Sequence, residues 1–179
     1  MSTIIIYGSK YGNTKKYAIE LSKILKSEVI SYKKVKSLFT YDQIIYLGGL
    51  YAGGVLGLSK TLKLIPKSST QPIIIATVGL SDPSDEKNAL HIKASLEKQI
   101  PKDIYDKSKI FHLRGGIDYS KLSFIHKTMM KLLYNKLKKL PPENQDSETK
   151  AMIETYNKKV DFVNLDSLNE IVQSLLQNV

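Results

Sequence analysis

The chain has 179 residues, a formal net charge of +10 and no cysteine. Without cysteine there are no disulfides and no thiolate-held zinc or iron–sulfur centres, and no stretch reaches the ~18 apolar residues of a membrane-spanning helix. Hydrophobic residues at 42% and charged residues at 25% are ordinary globular proportions, and the length is read as a single domain over residues 1–179.

Met1-Ser2-Thr3 leads into Ile4-Ile5-Ile6-Tyr7, an apolar run stopped by Gly8. It reads as a buried parallel strand rather than a secretory leader, so the expected location is cytoplasmic. Helical spacing follows from Thr14 to Lys26, with Tyr17, Ala18, Leu21, Ile24 and Leu25 on one face. Glu28 to Ser31 is a brief strand, Val35 to Phe39 a helical turn, and Gln43 to Leu47 a third strand closed by Gly48-Gly49. Leu56 to Leu64 reads as a helix stopped near Pro66, Pro72 to Val78 as a fourth strand, Glu86 to Gln99 as a helix and Lys109 to Leu113 as a fifth strand. Residues 114–159 break the alternation; a short strand at Val160 to Val163 and an amphipathic helix from Leu165 to Leu176 close the chain. Such alternation predicts an α/β fold: a doubly wound, five-stranded parallel sheet of order 2-1-3-4-5. It carries a helical insertion over 116–159, and a ligand site is expected where the strand order switches between strands one and three.

Strand one feeds into Gly8-Ser9-Lys10-Tyr11-Gly12-Asn13-Thr14, and a helix starts at once. A helix start offers unpaired N–H groups and a positive dipole end. Ser9 and Thr14 add hydroxyls, Asn13 an amide, and Gly12 permits a tight turn and close approach. This set suits a phosphate monoester held by neutral donors. The dinucleotide pattern G-x-G-x-x-G and the P-loop are both absent. The plainer alternative is that Ser9 and Thr14 only cap the helix.

Ser9-Lys10-Tyr11-Gly12-Asn13-Thr14 resembles the flavodoxin fingerprint T/S-x-T/Y-G-N-T, and the strand–helix order is similar to that of flavodoxins. The resemblance implies a flavodoxin-like sheet and an FMN cofactor whose phosphate this loop holds. It also implies that two further loops cradle the flavin ring. The first is Gly49-Leu50-Tyr51-Ala52-Gly53-Gly54, with Tyr51 stacked on one face and Ala52-Gly53 turning a carbonyl toward the ring N5; the alternative for Tyr51 is an ordinary turn tyrosine. The second is Gly79-Leu80-Ser81-Asp82, with Leu80 over part of the other face and none of the aromatics that flavodoxins often place there.

His112-Leu113-Arg114-Gly115-Gly116-Ile117-Asp118-Tyr119, followed by a long helical pattern containing Phe124-Ile125-His126-Lys127-Thr128-Met129-Met130-Lys131-Leu132-Leu133, is similar to the flavodoxin-type protoporphyrinogen oxidases. That resemblance implies an FMN oxidoreductase passing electrons from a porphyrinogen to a quinone, with the insert giving access to membrane and quinone. The alternatives are an electron carrier docking a redox partner protein and a non-catalytic flavin-fold module. No catalytic residue is assigned; Arg114 and Lys121 are candidates for pairing with substrate carboxylates.

From Lys121 to Lys139 there are six lysines and no acidic residue. Leu122, Ile125, Met129, Leu133, Leu137 and Leu140 share one helical face, with Lys127, Lys131 and Lys138 roughly opposite. Two readings stay open: the apolar face packs on the protein's own sheet, or residues 121–139 make peripheral contact with the inner face of an anionic membrane. His91, His112 and His126 lack metal-ligand spacing and read as surface residues, so no metal site is expected. Asp82 and Asp85 flank Pro83 and shape a turn. No nucleic-acid motif accompanies the positive charge. Lys10, Lys15 and Lys16 beside the phosphate loop favour an anionic reduced flavin.

Overall fold

The computed structural model describes residues 2–51, 54–66 and 69–176. Chain order begins with β1 (Thr3–Gly8), α1 (Asn13–Leu25), β2 (Glu28–Ser31), β3 (Gln43–Tyr51), β4 (Gly54–Val55), α2 (Leu58–Leu62), β5 (Ile73–Gly79) and α3 (Glu86–Gln99). It continues with α4 (Lys102–Tyr105), β6 (Ser108–Arg114), β7 (Gly116–Asp118), α5 (Phe124–Leu137), α6 (Ser147–Thr155), β8 (Lys159–Asp161) and α7 (Leu168–Leu176).

Five strands run parallel in the order β2-β1-β3-β5-β6, which is the predicted order once β4 is recognised as a two-residue antiparallel hook on the end of β3. Because the strands are flanked by helices on both faces, successive residues alternate between two separate cores. Ile4, Ile6, Ile44, Tyr46, Ile73 and Ile75 point to one, where Leu58, Leu62, Ile92 and Leu96 of α2 and α3 meet them. Ile5, Ile45, Leu47, Ile74 and Ala76 point to the other, against Tyr17, Ala18 and Leu21 of α1 and Leu168 and Ile171 of α7. Register places Ile5 beside Ile45 and Ile45 beside Ile74, so one row of fully buried isoleucines crosses the sheet centre. Each contributes about 1.5–3 kcal/mol through burial.

Helix α3 has the predicted bounds, fixed at its start by the Asp85 carboxylate, which accepts the Asn88 N–H at 3.1 Å. Other expectations need correction. Val35 to Phe39 is not helical; Val35 and Leu38 are buried from irregular backbone. Helix α2 is five residues long, and Gly57 at φ 82° starts it. The last strand pairs antiparallel with β7, outside the main sheet. Between α5 and β8 the sequence reading missed α6, whose N-cap is Asp146.

The chain leaves the main sheet after β6 and returns near α7. At that junction the Phe162 N–H donates to the Gly115 carbonyl at 3.0 Å, and the Gly115 N–H donates to the Gly79 carbonyl at 2.6 Å. Helix α5 lies in the segment between. Its half-buried residues are His126, Met130, Tyr134, Asn135 and Leu137, while Ile125 is 69% and Leu132 67% exposed. Of the two readings left open, the one in which Ile125, Met129 and Leu133 pack on the sheet is therefore not met: the helix turns a neighbouring face inward. Tyr134 stacks on Tyr156 at 3.9 Å and 8°, and that stack orients the C-terminal half of α5.

Candidate functional site

The loop between β1 and α1 sits at the carboxyl end of the central strands. Gly12, at φ 102°, is the N-cap of α1, and a glycine has no side chain to bond the helix N–H groups. No acidic residue lies in the first turn. Ser9 does not cap the helix start; its Oγ accepts the Gly12 N–H at 3.1 Å and braces the loop. Thr14 is 3% exposed, and nothing among the described residues hydrogen-bonds its hydroxyl. The hydroxyl hydrogens of Ser9 and Thr14 and the first N–H groups of α1 are left for an anion. Beside them Gly49 leaves room: a Cβ there would stand 3.2 Å from Thr14 Oγ1.

The Asn13 amide donates to the Gly116 carbonyl at 2.6 Å, which ties the loop to the start of β7. Lys16 is paired with Asp161 of β8 at 2.8 Å, and that lysine holds the Asp161 carboxyl below the usual carboxylate range. Lys10 lies over the Tyr51 ring, 4.8 Å from its centroid.

Tyr51, at the end of β3, is 37% exposed and faces the β1–α1 loop. Ala52 and Gly53 lie outside the described residues. Between Tyr51 and Tyr11 stands His126 of α5, which the sequence reading left as a surface residue. Its ring meets both tyrosine rings edge-on, with centroids 5.8 Å from Tyr11 and 5.6 Å from Tyr51. Nε2 is 2.7 Å from the Tyr51 hydroxyl and 3.1 Å from Lys10 Nζ, and Nδ1 bonds the Tyr11 hydroxyl. A lysine ammonium can only donate, which makes Nε2 the acceptor and assigns the ring hydrogen to Nδ1, donating to Tyr11. The available sequence signal was the inward stripe His126, Met130, Tyr134 at four-residue spacing.

The loop after β5 is self-contained. Gly79 packs against Leu50, and Leu80 is half-buried with its carbonyl accepting from Arg114 Nε at 3.3 Å. Ser81 is buried and donates to Asn88 Oδ1 at 2.9 Å. The Asp82 carboxylate accepts the Ser84 N–H at 2.9 Å and hydroxyl at 2.7 Å; these bonds lower its pKa, with Arg114 adding to the effect. The side chains of Ser81 and Asp82 thus shape the loop, as the turn reading of Asp82 and Asp85 supposed. Arg114 belongs to this loop too: it pairs with Asp82 at 3.6 Å and stacks on Phe162 at 3.9 Å.

A protein-family model described as the flavodoxin domain matches residues 4–144. The chain belongs to the flavodoxin family. Among solved structures, this flavodoxin domain is similar to oxidised flavodoxin 1 from Bacillus cereus, at 16% identity and a TM-score of 0.45, covering 64% of this chain and 84% of that one. It is similar to a point mutant of flavodoxin from Pseudomonas aeruginosa, at 18% identity and a TM-score of 0.44, covering 76% and 96%. A flavoprotein in complex with FMN from Lactobacillus acidophilus NCFM matches at 16% identity and a TM-score of 0.41, covering 63% and 91%. No curated protein matches the chain. Among the described residues of the flavodoxin domain, no group of three or more His, Cys, Asp or Glu is placed to hold a metal ion, and no helix is long and apolar enough to cross a membrane.

Proposed function

We propose that this flavodoxin domain binds FMN at the β1–α1 loop and acts as a redox protein. The observation that carries the reading is the uncapped start of α1, bordered by two hydroxyls with unused hydrogens and by no acidic residue. Those donors fit a phosphate monoester. Tyr51 and Leu80 fit the edges of a flat, partly apolar ring. FMN, when bound, supplies reversible electron transfer. The chain's part is to hold the phosphate through Ser9, Thr14 and the α1 N–H groups, to orient the ring with Tyr51, and to keep Lys10 near it.

The finer reading is an oxidoreductase resembling the flavodoxin-type protoporphyrinogen oxidases, quinone-linked. Its support is the long helical segment between β6 and α7, which carries α5 beside Tyr51. An electron carrier for a protein partner is the rival reading. FMN titration of the apo-protein, followed by flavin fluorescence, tests the cofactor. Saturable quenching is expected, about tenfold weaker in Thr14→Ala and restored in Thr14→Ser, the factor for a lost charge-assisted hydrogen bond. No quenching overturns the reading. Turnover of a porphyrinogen with a quinone acceptor separates the enzyme from the carrier.

The exposed face of α5 favours a second element of function, peripheral contact with an anionic membrane. Phe124 is 83% exposed and stands with Ile125, Met129 and Leu132 in a segment whose six lysines have no acidic neighbour between 121 and 139. Apolar side chains insert at the headgroup boundary while lysines meet lipid phosphates. Co-sedimentation with phosphatidylserine vesicles is expected, falling in Phe124→Ser/Ile125→Ser and in Lys127→Glu/Lys131→Glu. Equal sedimentation of all three proteins refutes it.

A further inference from the structure

Helix α5 turns a half-buried histidine inward and leaves isoleucine and leucine in water. Burial of apolar surface alone would rotate it the other way. What holds it as it stands is a clasp at each end. At the C-terminal end Tyr134 stacks on Tyr156. At the N-terminal end His126 is bonded to Tyr11 and Tyr51, with Lys10 donating to the same ring. Tyr11 belongs to the β1–α1 loop and Tyr51 is the last residue of β3. One imidazole thus joins the two walls of the candidate site, more than seventy residues away from either in sequence. Nothing else in α5 needs a histidine there: Ser123 already caps the helix by accepting the His126 backbone N–H at 3.3 Å.

We propose that α5 is a cover over the flavin site, shut by His126 on Tyr11 and Tyr51, which lifts to let the flavin enter or leave and closes again over the bound cofactor. This rests on the reading that FMN occupies the site. His126 acts through the two tyrosines, so it is a positioning residue. A cover that must open for passage in either direction slows association and dissociation together, and leaves the equilibrium between them little changed.

The test compares wild type, His126→Ala and His126→Gln by stopped-flow FMN association and release, with amide hydrogen exchange of the FMN-free proteins alongside. In His126→Ala both rate constants are expected to rise about tenfold, the factor for one or two net hydrogen bonds, while Kd stays within about twofold. His126→Gln, which keeps a donor and an acceptor, is expected to move back toward wild type. Amides of 124–137 should exchange faster in His126→Ala than in wild type, whether or not FMN binds. A rise in the release rate alone, with affinity falling in step, overturns the cover and makes His126 a direct flavin contact. Unchanged α5 exchange also overturns it. Failure of all three proteins to bind FMN refutes the cofactor reading, and the exchange data then decide the clasp by themselves.

Discussion

The phenol of Tyr17, buried in α1, donates to the carbonyl of Arg114 at 2.7 Å. The same oxygen accepts the Asn164 N–H at 2.9 Å, so one side chain joins the first helix, the end of β6 and the approach to α7. Tyr17→Phe leaves a backbone carbonyl and a backbone N–H without partners. The expected loss is about 1–3 kcal/mol in urea denaturation, with an unchanged m-value.

Gly8 and Gly12 are both required, for different reasons. A Cβ on Gly8 would stand 1.9 Å from the Leu56 carbonyl oxygen and 2.8 Å from the Tyr46 hydroxyl. Gly8→Ala therefore pushes β1 away from the β4–α2 turn, and a stability loss of about 1–3 kcal/mol or more is expected. A Cβ on Gly12 meets nothing within 4 Å, yet φ is +102°. A side chain there distorts the loop locally without a clash against the core, so Gly12→Ala should weaken FMN binding more than it shifts the unfolding midpoint.

His112 Nδ1 bonds Thr77 Oγ1 at 2.8 Å, and burial pushes the imidazole pKa below its ordinary value. The unfolded chain then binds a proton more readily than the folded protein. Stability contributed by this group is present above about pH 6.5 and declines as pH falls from there toward the lowered folded value. Thermal melts between about pH 7.5 and 5.5 should show the decline in wild type, and a smaller one in His112→Gln.

Lys10 sits 4.8 Å from the Tyr51 ring centroid, whereas Lys16 is neutralised by Asp161. Of these two, Lys10 is therefore expected to influence a flavin bound there more. Lys10→Glu should make the potential of the reduced-flavin couple more negative, while Lys16→Gln should move it less. Potentiometric titration at low and high salt checks this, because the difference should shrink with ionic strength.

The central sheet was legible because each buried strand is an apolar run ended by glycine, as Ile4 to Gly8 and Gln43 to Gly48 show. The β1–α1 loop was legible as a helix start from its place directly after such a run. Three things were not. Periodicity identified the apolar face of α5, but it does not say which face the rest of the chain covers, and Tyr156 and Tyr11 settled that from afar. Strand β7 is three residues long, too short for alternation to register, and β8 was expected as a short strand at Val160 to Val163 but without its antiparallel partner. His126 and the Asn13–Gly116 bond depend on partners more than a hundred residues apart, which no local pattern carries.

The hydrogen bond from Phe162 to Gly115 brings the two ends of the intervening segment together at 3.0 Å. A path that starts and finishes at one point makes that segment an exchangeable cassette. Because β6 is paired through β5 and not through β7, excising the cassette with a short bridge leaves every rung of the five-stranded ladder intact. The same junction offers a place to graft a foreign segment beside the proposed flavin site. Addition or loss of such a piece changes what the domain can meet at its rim without asking its foundations to refold.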